Sequence, residues 1–176
     1  MIKKAQVWVE TAVYTLIALI IISILLSLAY PQIEKIKDNS VIKQTIIALN
    51  VLDNKVIEVQ EKGIGNVRKV DLKISKGFLE IDSENNEIIY TLEDTKLEYS
   101  EIDEEINQDN LIIKTEKFGG RYKITIKRTY NSDILNITYD NEENLKTIYP
   151  GGTPYSIIIE NKGEIEGKLN IDFKIS

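Results

Sequence analysis

The chain contains no cysteine and no histidine. Disulfide cross-links, thiolate zinc sites, cysteine nucleophiles and any mechanism built on an imidazole base are therefore excluded. A concentrated basic patch is missing as well: 22 Lys and Arg stand against 28 Asp and Glu, for a net charge of -6. Phosphate backbones need such a patch, so nucleic acid is not an expected partner. The basic residues that do occur alternate with apolar ones, as in Lys123-Ile124-Thr125-Ile126-Lys127-Arg128, which reads as the solvated face of a strand. At 176 residues the chain has room for one extended helix and one domain of about 100 to 120 residues. A second globular core is not expected.

What the sequence does have is a long apolar run near its N-terminus. From Val13 to Ala29 no residue carries a charge, and Val7-Trp8-Val9 extends the run upstream, interrupted by Glu10 and Thr11. That is close to the ~20 residues that cross a bilayer. Lys3 and Lys4 precede it, with no acid among the first nine residues. The positive-inside bias then places the N-terminus in the cytoplasm and everything after Tyr30 outside.

Three readings of this segment compete. As an ordinary signal peptide it offers Ser27-Leu28-Ala29 as a cleavage site, but the run exceeds the usual h-region. As a plain signal anchor it leaves Glu10 unexplained, because a carboxylate deep in an apolar span without a partner costs up to about 3 kcal/mol. The third reading starts from Lys3-Lys4-Ala5-Gln6-Val7-Trp8-Val9-Glu10-Thr11. This stretch resembles the class III signal sequence of archaeal type IV pilins and archaellins. The resemblance implies cleavage by a prepilin peptidase on the cytoplasmic side after Ala5, with the hydrophobic segment kept on the mature protein. Gln6 then becomes the first mature residue and Glu10 the fifth, as in that family, and Leu16 falls where the family often has leucine. Trp8 stands where the family commonly has serine.

Charge logic makes the acid at position 10 intelligible. Cleavage creates an ammonium at Gln6, and when identical helices pack side by side Glu10 of one copy faces the amine of the next. An unpaired carboxylate in an apolar bundle is destabilising by several kcal/mol, so in-register assembly is favoured. Snorkelling of Glu10 to the headgroups is the simpler alternative.

After Tyr30-Pro31 the pattern turns amphipathic. Ile33, Ile36, Ile42, Ile46, Leu49, Leu52, Val56 and Val59 form one apolar stripe at helical spacing, and the section from 42 to 59 is expected to pack on the chain's own domain. Pro31 is expected to kink the helix without ending it, and Gly63 with Gly65 to stop it. A helix from about 6 to 62 would be roughly 85 Å long.

From Val67 onward strand-like alternation takes over. About eight antiparallel strands are expected, centred on 70–74, 78–81, 87–92, 111–113, 122–126, 134–139, 155–159 and 169–175. Turn signals such as Lys76-Gly77, Glu84-Asn85-Asn86, Gly119-Gly120, Asp140-Asn141 and Gly151-Gly152 separate most of them. The fold class is α+β: a long N-terminal helix, hydrophobic then amphipathic, followed by an antiparallel β-sandwich-like domain, as in pilins. The expected organisation is a leader at 1–5, a membrane or filament-core helix at 6–30, a stalk at 31–62 and an extracellular β domain at 66–176.

The acid-rich stretch from Glu93 to Asp109 reads as an exposed loop or a weak strand flanked by loops. Its Asp103-Glu104-Glu105 and Asp109 are a solvated acidic surface more readily than a calcium site, since no EF-hand spacing is present, so no metal or other cofactor is expected. Asn136-Ile137-Thr138 is a sequon that nominates Asn136 as a glycan acceptor. The tyrosines of the β region read as half-buried packing. No catalytic constellation can be assembled, and the expectation is a non-enzyme.

Two functions fit. The resemblance implies a filament subunit with Lys3, Lys4, Ala5 and Gln6 in processing and Gln6, Glu10 and Leu16 in assembly. Its implied partners are the membrane, further copies in a helical filament, the prepilin peptidase, and a pilus assembly platform with its ATPase. The other is a single-pass anchored β domain that binds a ligand at the cell surface and never polymerises.

Overall fold

The computed structural model describes the backbone of Ile2–Ser176 and the side chains from Val7 onward. One unbroken helix, α1, spans Ile2–Lys62, 61 residues, and is roughly 90 Å long at 1.5 Å per residue. Pro31 lies inside it without ending it. Within the apolar half, hydroxyls fold back onto the helix: Thr11 donates to the Val7 carbonyl at 2.9 Å, Thr15 to Thr11 at 2.8 Å and Ser23 to Leu19 at 2.7 Å. These three hydroxyls are thus satisfied within the helix, which suits a lipid environment.

The helix stops where the sequence places glycine. Gly63 and Gly65 adopt φ of 83° and 78°, a region open to glycine at little cost. Asn66 Nδ2 donates to the carbonyls of Lys62 at 2.7 Å and Gly63 at 3.0 Å, and Asn161 Nδ2 donates to Val59 O at 3.0 Å. These amides satisfy carbonyls that the last turn leaves without intrahelical donors.

Ten strands follow: β1 Val67–Leu72, β2 Phe78–Asp82, β3 Glu87–Thr95, β4 Glu105–Gln108, β5 Leu111–Phe118, β6 Arg121–Thr129, β7 Leu135–Tyr139, β8 Leu145–Ile148, β9 Tyr155–Ile165 and β10 Lys168–Ile175. They form two sheets in a sandwich-like arrangement, one ordered β1-β9-β10-β7 and the other β4-β5-β6-β3-β2-β8. Two strands add to the expected eight: β4, which is the weak strand flanked by loops allowed for in the acid-rich stretch, and β8, which was not expected. Both are four-residue strands at the two edges of the larger sheet. The expected all-antiparallel pairing is also corrected, because β7 pairs with β10 in parallel, Leu135 opposite Leu169 through Tyr139 opposite Phe173.

Alternation places the core. Leu79, Ile81, Ile88, Tyr90, Leu92, Leu111, Ile113, Ile124 and Ile126 of the larger sheet are buried, as are Val70, Leu72, Ile137, Ile157, Ile159, Ile171 and Phe173 of the smaller. Each such side chain contributes about 1.5 to 3 kcal/mol on leaving water. The outer half of α1 completes this core with Ile42, Ile46, Leu49, Leu52, Val56 and Val59. Ile33 and Ile36 do not join it; Ile36 is 69% exposed, and the first helix residue that the domain fully buries is Asp38.

Candidate functional site

The feature that sets this chain apart is the bare inner half of α1. Trp8, Tyr14, Leu16, Leu19, Ile20, Ile24, Leu25 and Leu28 all stand exposed, and no part of the apolar window is covered by the rest of the chain. A water-facing surface of this kind would be prohibitive, so lipid or other protein must cover it. Ser23 and Ser27, one turn apart, leave a shallow groove flanked by Leu19, Ile20, Ile24 and Leu28. Small residues at that spacing let a second helix approach closely.

Of the residues expected to act in assembly, Glu10 is exposed on the helix and Leu16 is 59% exposed on the same apolar segment. Lys3, Lys4, Ala5 and Gln6 lie outside the residues whose side chains are described. Asn136 sits in β7, where its side-chain amide donates to Glu143 Oε1 at 3.1 Å. Thr138 of the same sequon is buried and donates to Asp172 Oδ1 at 2.8 Å. The acidic stretch does not gather into a chelating group: among the described residues no set of three or more acidic side chains is placed to hold a metal ion. Asp109 instead accepts from Asn50 of the helix at 3.1 Å.

The outer half of α1 carries two buried carboxylates, Asp38 and Asp53. Asp38 is buried, takes the Lys76 ammonium at 2.6 Å and accepts from Thr95 Oγ1 at 2.5 Å. Asp53 is buried, pairs with Arg128 Nε at 2.7 Å and accepts from Asn110 Nδ2 at 3.0 Å. Arg128 also stacks over the Tyr130 ring at 4.8 Å. A buried carboxylate is tolerable only with such partners, and their geometry fixes both the rotation and the height of the helix against the larger sheet. The signal available in the sequence was phase: positions 38, 42, 46, 49, 53 and 56 step by four or three along one stripe, which puts both acids inside it.

Ion pairs at the surface extend these clamps. The Lys96 ammonium at 2.7 Å holds the Glu34 carboxyl below its usual value, and Lys55 together with Arg68 does the same for Glu58. Burial pushes the Tyr90 phenol up to about 12, so it stays neutral while donating to the Lys76 carbonyl at 2.6 Å. Of these contacts, Glu34–Lys96 and Glu58–Arg68 join the helix to the β domain, Lys55 braces Glu58 within the helix, and Tyr90 ties β3 to the β1–β2 turn.

The architecture is consistent with a single-pass membrane-associated protein carrying a β domain, in a generic pilin-like arrangement of apolar helix and mixed sheets. Comparisons with protein families, with curated proteins and with solved structures found no match for this chain.

Proposed function

We propose that the chain is a structural subunit of an archaeal type IV pilus-like surface filament. In this reading a prepilin peptidase cuts after Ala5, recognising the segment around Lys3 and Lys4. The helix is held in the membrane with its N-terminus cytoplasmic until an assembly platform and its ATPase extract it. Copies then pack through the apolar half of α1, with Glu10 facing the new amine of a neighbouring Gln6, and the β domains coat the outside. The protein needs no catalytic centre or cofactor for this role.

The observation that supports the reading best is the division of one continuous helix. Its outer half is clamped into the β domain by Asp38 and Asp53, and among the described residues the apolar window of its inner half is not covered by the β domain. A helix used only as an anchor has no need for Glu10 near its cytoplasmic end, whereas a bundle of identical helices gives that acid a partner. The bare helix equally suits a second reading, a tethered β domain that displays a binding surface and does not polymerise; Glu10 is what favours assembly over it. The test is the N-terminus of protein extracted from membranes of its native cells. Mass spectrometry should find it beginning at Gln6. An intact Met1 start, or one at Tyr30, would overturn the proposal.

A further inference from the structure

Because α1 runs unbroken from the apolar segment into the domain, it serves as a ruler for depth. Glu34 lies four residues beyond Tyr30, about 6 Å along the axis, and Asp38 about 12 Å. Three loops of the β domain are fastened at these two levels. The β3 end is held by Thr95 on Asp38 at 2.5 Å and by Lys96 on Glu34 at 2.7 Å. The β5–β6 hairpin is tied to that end, with Arg121 Nε 3.1 Å from Asp94 Oδ1 and Arg121 Nη1 donating to the Asp94 carbonyl at 3.1 Å. The β1–β2 turn is held by Lys76 on Asp38 at 2.6 Å.

The hairpin turns tightly at Gly119 and Gly120, with Phe118 opposite Arg121 as its last pair. Phe118 is 78% exposed at this tip, an apolar ring left largely uncovered by its own chain. Tyr149 stands exposed on the β8–β9 connection and packs against Phe78, just after the β1–β2 turn, with ring centroids 6.1 Å apart. Tyr30, the last residue before Pro31, is exposed as well. Phe118 and Tyr30 are therefore exposed toward the end where the helix leaves its apolar segment, while Tyr149, level with Thr91 through Phe78, stands further from it.

The polar headgroup layer is roughly 5 to 7 Å deep on each side of the hydrocarbon. Aromatic rings concentrate at that depth because it accommodates both their apolar faces and their polar surroundings. We propose that Phe118, at the tip of the β5–β6 hairpin, seats the β domain in the headgroup layer of the bilayer that α1 spans. This rests on the single-pass reading, but not on polymerisation. Around the tip Lys117, Arg121 and Lys123 are matched by Glu93, Asp94 and Glu116, so the contact is apolar and does not require anionic lipid. Its consequence is orientational: with helix and hairpin both held, the domain of the unassembled protein cannot swing freely about its anchor.

The test uses the full chain reconstituted in phosphatidylcholine vesicles, with acyl chains brominated close to the headgroup as a fluorescence quencher. Trp8 is the only tryptophan, so the wild-type protein reports insertion of α1. In the Trp8→Phe background, Phe118→Trp reports the hairpin and Ile165→Trp reports the far end of the domain. Ile165 closes the β9–β10 hairpin beside Gly163, whose Cα faces Ile64 at the end of α1, roughly 45 Å further along the helix axis than Glu34. Tryptophan at 118 should be quenched at least about twofold and tryptophan at 165 unaffected, as expected for a ring at the interface and one far from it. If Trp8 is quenched but tryptophan at 118 behaves like that at 165, the anchor stands and the seating of the hairpin is refuted. Shielding at 118 without quenching, dependent on protein density, would place Phe118 against a second copy and also refute it. If Trp8 itself escapes the quencher, the single-pass reading fails together with the inference.

Discussion

Asp53 on the helix and Arg128 on β6, 75 residues apart in sequence, meet at 2.7 Å with both side chains largely withdrawn from water. This pair does more than neutralise charge. Arg128 holds Asp53 while stacking on Tyr130, and Asn110 takes the other carboxylate oxygen. The helix is thereby pinned to the larger sheet at one level, as Asp38 pins it about 22 Å lower.

Removing one member of such a pair leaves the other uncompensated in a poorly hydrated site. Asp53→Ala is therefore expected to destabilise the domain by about 3 kcal/mol, within the range for a broken buried pair. Denaturant unfolding of the full chain in mild detergent, followed by circular dichroism of the β domain, measures this. Asn54→Ala, an exposed neighbour, should change stability by less than about 0.5 kcal/mol.

Gly77 separates two kinds of glycine requirement. It sits at φ 72°, and a Cβ there would run into the Thr91 carbonyl and lie 2.7 Å from Tyr90 Oη. Gly65 has φ 78° with open space around it. Gly65→Ala should cost about 1 kcal/mol for the left-handed backbone alone. Gly77→Ala should cost about 1 to 3 kcal/mol more, since packed neighbours must also move. Thermal melting of both variants under one condition checks the difference.

The acid side of the stability curve follows from Glu34 and Glu58. Their carboxyls are held below the ordinary 4.5, by Lys96 at Glu34 and by Lys55 and Arg68 at Glu58. A lowered folded value means the stabilisation is fully present above the unfolded value and disappears as pH falls through the lowered one. Melting temperature should therefore change little on acidification until pH approaches 4.5 and then fall. The triple variant Lys96→Met, Lys55→Met, Arg68→Met should show a shallower fall, as its glutamates lose their cationic partners.

Much of this architecture was legible because its signals are periodic. An uncharged run long enough for a bilayer, a stripe stepping by three and four, and paired glycines define α1 almost residue by residue. Strands with alternating Ile, Tyr and Thr were equally plain. β4 and β8 lack that signal: all four residues of β4 are exposed and lie in an acid-rich stretch that left loop and weak strand both open, and β8 is a short edge strand with only Ile148 buried. The parallel pairing of β7 with β10 is set by the packing of the whole sheet, on which local alternation is silent. Asp38 and Asp53 were missed for a different reason. A carboxylate in phase with an apolar stripe has two meanings, a misplaced solvent-facing residue or a buried clamp, and only Thr95, Lys76, Asn110 and Arg128, distant in sequence, decide between them.

The proposed assembly depends most on the acid near the start of the bare helix. The decisive measurement is filament yield from cells expressing Glu10→Gln or Glu10→Ala, counted by electron microscopy against membrane levels of the protein. The account predicts normal membrane levels with filaments reduced at least tenfold, the effect of losing about 1.4 kcal/mol or more per subunit contact. Filaments at wild-type yield in both variants would contradict it and leave a tethered β domain.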